Sequence, residues 1–161
     1  MAPRAHRPTI VLRLDDLSSP EVQALVSEHL AGMQGSTPAG HVHALALAGL
    51  RSPDISFWTA WLAGQLCGCG ALRALDAHSG EIKSMRTRAA FARRGVGQAI
   101  LDEITRTAIA RGYRELYLET GTGVAFDAAH ALYLRNGFAW CGAFGNYTAS
   151  EFNVFMHRAL A

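Results

Sequence analysis

The sequence predicts a mixed α/β fold in a single domain spanning residues 1–161, and three observations lead there. Strand-like alternation and helix-like period succeed one another along the chain, with no linker, repeat or low-complexity tract between them. Half of the 161 residues are apolar, enough for one sizeable core in a chain too short for two comfortable domains. The third observation is the stretch Glu81 to Gly112, which reads as a strand, a basic glycine-bearing loop and a helix.

Residues 1–8 read as a frayed leader. Thr9 to Leu14 alternates as a first strand, and Asp15 to Pro20 is turn chemistry. A helix follows from about Glu21 to Met33, with Val22, Leu25, Val26 and Leu30 on one face, until Gly35 to Gly40 breaks it. A short helix is expected over His43 to Leu50. Ser56 to Ala63 and Gln65 to Leu75 form a hairpin through Ala63-Gly64, and Glu81 to Arg86 is the fourth strand. The helix that begins between Gly95 and Gln98 buries Ile100, Leu101, Ile104 and Ala108 as one stripe and stops at Gly112. The rest is a strand at Leu116 to Thr120, a helix from about Phe126 to Arg135, and strands at Ala139 to Phe144 and Phe152 to Arg158.

The start of the central helix points to function. A helix start leaves its first backbone N–H groups unpaired, and a Ser, Thr, Asp or Asn normally caps them. Arg93-Arg94-Gly95-Val96-Gly97 offers no such side chain. Glycines let a ligand approach the backbone, the helix dipole favours negative charge, and Arg88, Arg93 and Arg94 add cations. This is a phosphate seat. It is not a Walker loop, which needs Gly-Lys-Ser/Thr, nor a dinucleotide fingerprint, which needs a small residue where Ile100 stands.

At Ala92-Arg93-Arg94-Gly95-Val96-Gly97 the chain resembles the GNAT superfamily of acyl-CoA-dependent N-acetyltransferases, whose motif is Gln/Arg-x-x-Gly-x-Gly/Ala. Ala92 departs from the motif's first position. A second segment, Ala129 to Phe138, resembles the family's A-x-x-L-Y-x-x-x-G-F, with Tyr133 in the place of the catalytic acid. Many members carry Asn where this chain has Phe126. A looser likeness from about His43 onward points to a bacterial, mostly uncharacterised subgroup. The resemblance implies a central mixed sheet of about seven strands flanked by about four helices and opened in the middle by the cofactor. It implies direct transfer of the acetyl group of acetyl-CoA, the cosubstrate, to a primary amine of a small molecule or peptide in a ternary complex. It assigns cofactor contacts to Met85, Arg86 and Thr87 and to Arg93, Arg94, Gly95, Val96, Gly97 and Gln98, and it makes a homodimer possible.

Amine acetylation needs a base for the amine proton and an acid for the leaving thiolate. Tyr133 is the acid candidate, although it shares a helix face with Ala129 and Leu132 and core packing would also explain it. Glu81 and Glu119 are the base candidates, placed on strands facing each other across the opened sheet; solvated strand-end charges are the alternative. Lys83 shares the face of Glu81 and Met85 by period two, so it would pair with Glu81 or reach an anionic part of the acceptor. His43, Trp58, Thr120 and Tyr147 are the expected acceptor contacts, with one of Trp58 and Trp61 assigned to the core.

The net charge of +2 sits largely in one arginine loop, without the interleaved aromatics of a nucleic-acid surface. The longest apolar run, Ala44 to Leu50, is far below the roughly 18 residues of a membrane span, and a cytoplasmic protein is expected. Three cysteines, with Cys67 and Cys69 alternating on a strand, read as buried thiols, and His41-x-His43 lacks a third ligand, so no metal is expected. The rival reading is a non-catalytic acyl-CoA-binding module. Ala92 and Phe126 favour it; Tyr133 and Glu81 favour the enzyme.

Overall fold

The computed structural model describes residues 8–36 and 47–160, with side chains in the first helix described as far as Glu28. The alternating segments pair into one seven-stranded sheet in the order β1-β2-β3-β4-β5-β7-β6. Its strands are β1 Ile10–Leu14, β2 Ile55–Leu62, β3 Gln65–Ala74, β4 Ser79–Thr87, β5 Glu115–Gly121, β6 Ala139–Cys141 and β7 Asn153–Ala159. The periodic segments are α1 Pro20–Ser36, α2 Leu47–Leu50, α3 Val96–Ala110 and α4 Asp127–Arg135.

Neighbouring strands are antiparallel except β4 and β5, which are parallel and need the α3 crossover between them. These two pair only from Ser79/Glu115 to Ile82/Leu118. Beyond that, β4 runs on to Thr87 beside β3, while β5 stays zipped to β7 as far as Gly121. The sheet therefore opens into a V.

Each face carries its own core. Under α3 and α4 lie Trp58, Leu72, Ile82, Leu116 and Leu118, against the α3 stripe Val96, Ile100, Leu101, Ile104 and Ala108, all buried as the helical period predicts. Under α1 and α2 lie Phe57, Leu66, Cys69 and Ala71 against Leu17, Val22, Leu25 and Leu50. Trp58, expected at the acceptor, is 3% exposed and belongs to the first core. Trp61 packs on the other face, with Arg13 5.0 Å over its ring.

Two irregularities change which way residues point. In β3, Ala60 pairs with Gly68 but Trp61 with Leu66, leaving Cys67 as an extra residue. Cys67 and Cys69 therefore lie in opposite cores instead of sharing a face, and Cys141 is exposed. In β4, Ser84 takes a positive φ of 56°, and the register with β3 skips from Lys83 to Arg86. Met85 thus packs toward α3, away from Glu81 and Lys83, contrary to the strict alternation expected.

Other departures lie at element ends. Helix α1 continues through Gly35, and the expected start of the second helix at His43 lies outside the described residues. Strand β6 stops at Cys141 because Phe144 leaves the strand path to pack against Tyr117, Tyr147 and Phe155, at ring distances of 5.0, 5.1 and 5.7 Å.

Helix α3 sits so close to the sheet that β3 needs glycine beneath it. A Cβ at Gly68 would lie 2.6 Å from the Arg86 carbonyl oxygen and 2.9 Å from Val96 Cγ1. Gly68→Ala is expected to cost about 2–3 kcal/mol, typical of overpacking against a backbone that cannot move freely. A urea titration with a lowered midpoint and unchanged slope would show it.

Candidate active site

Beyond the point where β4 and β5 part lies a cleft of about 710 Å³. Met85, Arg86 and Thr87 form its floor, the start of α3 one wall, and Ala129, Leu132 and Tyr133 of α4 the other. Gly95 takes φ 83° ahead of α3 with no side-chain cap, and the first intrahelical bond runs from the Ala99 N–H to the Gly95 carbonyl at 3.0 Å. The N–H groups of Val96, Gly97 and Gln98 are thus free of intrahelical partners. The two glycines serve different ends. A Cβ at Gly95 would meet nothing within 4 Å, so conformation requires that glycine, whereas one at Gly97 would enter the cleft 3.2 Å from Leu132 Cδ2. The buried Arg86 Nε has no hydrogen-bond partner among the described residues. Open donors, a cation and a narrow approach to backbone fit a pyrophosphate-bearing ligand.

Not every predicted contact belongs here. Arg88 turns to α1, 3.8 Å from Glu21 and 4.0 Å from Glu28, so it is a structural tie and not part of the seat. Arg94 lies 5.6 Å over the Phe91 ring and does not line the cleft, while Arg93 does. Gln98 spends its side chain on Asp102 and Asn136, both at 2.8 Å, and offers the cleft only its backbone. Arg135, in the last turn of α4, also lines the cleft, and no motif in the sequence marks it.

Tyr133 is 5% exposed, its ring edge-on to Phe138 at 5.6 Å. Its hydroxyl has no hydrogen-bond partner among the described residues. Burial raises its pKa, so the phenol holds its proton. Phe126 stands where an amide was expected and works by packing: its ring covers Gly121 so closely that a Cβ there would sit 2.4 Å away. His130 accompanies it, 6.5 Å from the Phe126 ring and 3.0 Å from the Gly121 carbonyl oxygen.

The other face of the sheet holds a cavity of about 820 Å³. One rung of strand pairing aligns Arg73, Glu81, Tyr117 and His157 across four strands on this face. Lys83 donates to Glu81 Oε2 at 3.1 Å and to the Tyr147 hydroxyl at 2.7 Å, and that hydroxyl donates to Glu81 Oε2. Glu81 is 1% exposed and its Oε1 has no partner among the described residues. Burial and the Glu81 charge both push the Tyr147 pKa up. One rung further, Glu119 accepts from Asn153 Nδ2 at 3.0 Å. Burial raises the Glu119 pKa to about 7; Asn153 and Lys83 oppose that shift and Glu81 adds to it.

The model of the acetyltransferase (GNAT) family matches residues 22–138. The chain belongs to the GNAT family. The uncharacterized N-acetyltransferase YsnE of Bacillus subtilis (strain 168) is 45% identical over 149 residues, covering 92% of this chain and 99% of its own. The uncharacterized N-acetyltransferase YedL of Escherichia coli (strain K12) is 44% identical over 149 residues, covering 92% and 94%. A crystal structure from Klebsiella pneumoniae, assigned as an acyl-CoA N-acyltransferase, superposes with a TM-score of 0.77 at 25% identity, covering 94% of this chain and 98% of that one. This GNAT chain is an N-acetyltransferase with acetyl-CoA as its cosubstrate, and an acetyl acceptor is its second substrate.

The GNAT sheet brings Met85 to Thr87, the α3 start and Tyr133 to one cleft, and Glu81, Lys83, Glu119 and Tyr147 to the other face. It does not bring Thr120 there: alternation from Leu116 and Leu118 turns Thr120 toward the α3 and α4 side. His43 lies outside the described residues. Among the described residues, no helix is long and apolar enough to cross a membrane, and no three His, Cys, Asp or Glu side chains group as metal ligands.

Proposed function

We propose that this GNAT enzyme acetylates a primary amine of a small molecule or peptide by direct attack in a ternary complex. The V between β4 and β5 carries this reading: just past the last β4–β5 pair, at Ile82 and Leu118, the lining of β4 passes from Lys83 in the cavity to Met85 in the cleft. Bound acetyl-CoA supplies the acetyl group as a thioester. The N–H groups at the start of α3 hold its phosphates, and the end of β4 orients the carbonyl with backbone donors. Holding both substrates at the V supplies the approach geometry, which is the larger part of the rate enhancement.

Of the two carboxylates, Glu119 suits the base. Its elevated pKa lets it accept a proton near neutrality while its Oε2 takes a neutral amide donor from Asn153, whereas Glu81 Oε2 is held by the Lys83 cation and the Tyr147 hydroxyl. Tyr133 on the opposite wall then gives its phenolic proton to the departing sulfur. Lys83, Glu81 and Tyr147 shape and charge the acceptor cavity.

Purified protein with acetyl-CoA and a panel of primary amines, followed by thiol release, tests this. With Glu119 as base, kcat/KM should rise with pH to a plateau with a midpoint of about 7, because the carboxylate must lose its proton before it can take one. Glu119→Gln should lose that limb and about 10²-fold in rate. Acetyl-CoA binding without turnover on any amine would instead favour the non-catalytic module.

A further inference from the structure

We propose that Asn153 is a positioning residue that fixes the Glu119 carboxylate and the Thr148 to Ser150 segment, and with it Tyr147, in a single register. The inference rests on the reading of Glu119 as the base. Asn153 opens β7 opposite Gly121, one rung past Glu119, and is 4% exposed. Its Nδ2 donates to Glu119 Oε2 at 3.0 Å and to the Thr148 carbonyl at 3.1 Å. Its Oδ1 accepts from the Ser150 backbone N–H at 2.8 Å and from the Ser150 hydroxyl at 3.0 Å.

Both donors and both lone pairs of the amide are therefore used, which also fixes its orientation. Turned over, it would set N–H groups against the Ser150 N–H and an oxygen against a carboxylate and a carbonyl. No other side chain of this size can do the same. Aspartate lacks the donors, and leucine would leave the Thr148 carbonyl and the Ser150 N–H without their partner. A carboxylate on a flexible side chain gains direction from such an anchor, and the same anchor ties down the turn that carries Tyr147 to the cavity.

The electrostatics agree with the geometry. Glu119 is faced by Glu81 and Lys83 from β4, by Tyr147 from the turn and by Asn153 from β7. The amide is a neutral donor that favours the ionised carboxylate without removing its basicity, as a second full cation would.

Carbon-13 NMR of protein labelled at glutamate carboxyl groups tests the proposal without any acceptor, with Glu119 assigned by the signal lost in Glu119→Gln. Asn153→Asp, which keeps size but adds a negative charge, should raise the Glu119 midpoint by about one pH unit or more, and Asn153→Ala should raise it less. Folded variants whose Glu119 titrates as in the parent would overturn the proposal. Should both variants unfold, the parent still decides: the Asn153 side-chain N–H₂ signals should shift with the Glu119 midpoint, and signals that ignore that titration refute the anchor. Full activity of Glu119→Gln would instead remove the base reading and leave the NMR result on Asn153 standing.

Discussion

Replacing Tyr133 by phenylalanine is expected to lower kcat by about 10²–10³-fold, within the range for loss of a general acid, while acetyl-CoA affinity changes less than about twofold. The structure makes this substitution unusually clean. The hydroxyl has no partner among the described residues, so its removal leaves no buried group unsatisfied, and the ring contact with Phe138 at 5.6 Å is kept. Folding stability should therefore stay within about 0.5 kcal/mol. The raised phenol pKa does not count against the role: burial disfavours the thiolate as it disfavours the phenolate, and a short transfer between the two stays feasible in the same apolar wall. Steady-state kinetics beside calorimetric titration separates the outcomes. A variant within threefold of parental kcat would return Tyr133 to the core-packing role that its neighbours Ala129 and Leu132 allow.

Gly95→Glu should weaken acetyl-CoA binding by about 100-fold. The carboxylate would stand at the uncapped start of α3, opposing the phosphates for which those N–H groups are free, and roughly 2–3 kcal/mol of lost and repulsive interaction at 1.4 kcal/mol per decade gives that factor. Strain and charge need separating, since Gly95 takes φ 83°. Gly95→Ala is the control. It carries the same strain, about 1–2 kcal/mol against stability, but its Cβ would meet nothing within 4 Å, so affinity should fall only a few-fold. Equal losses in both variants, measured by titration calorimetry, would place the effect in the loop conformation and not in the phosphate seat.

What was legible in the sequence follows from which interactions are local. The α3 stripe could be read because burial of Ile100, Leu101, Ile104 and Ala108 follows from helical period alone. The uncapped start of α3 could be read because a missing cap is a property of consecutive residues. Lys83 and Glu81 were rightly paired by period two, yet the same rule misplaced Met85, since the kink at Ser84 leaves no mark in composition. Arg88 sits close in sequence to the seat, but the partners that hold it, Glu21 and Glu28, come from a distant helix. Phe144 has every feature of a strand residue, and a cluster of rings from two other strands and a turn draws it away. Asn153 could not be found at all: no spacing relates it to Glu119, and only the pairing of β5 with β7 makes them neighbours.

The parting of β4 and β5 has a thermodynamic consequence. The two halves of the sheet share a seam of four residue pairs, Ser79 to Ile82 against Glu115 to Leu118, while the β5-facing backbone of Lys83 to Thr87 has no strand beside it among the described residues. A molecule that occupies the gap binds the native chain and not the unfolded one, so it adds RT ln(1 + [L]/Kd), about 2.7 kcal/mol at a hundredfold excess over Kd. With acetyl-CoA as that molecule, resistance to unfolding would follow the supply of cosubstrate, and a starved enzyme would also be a softer one.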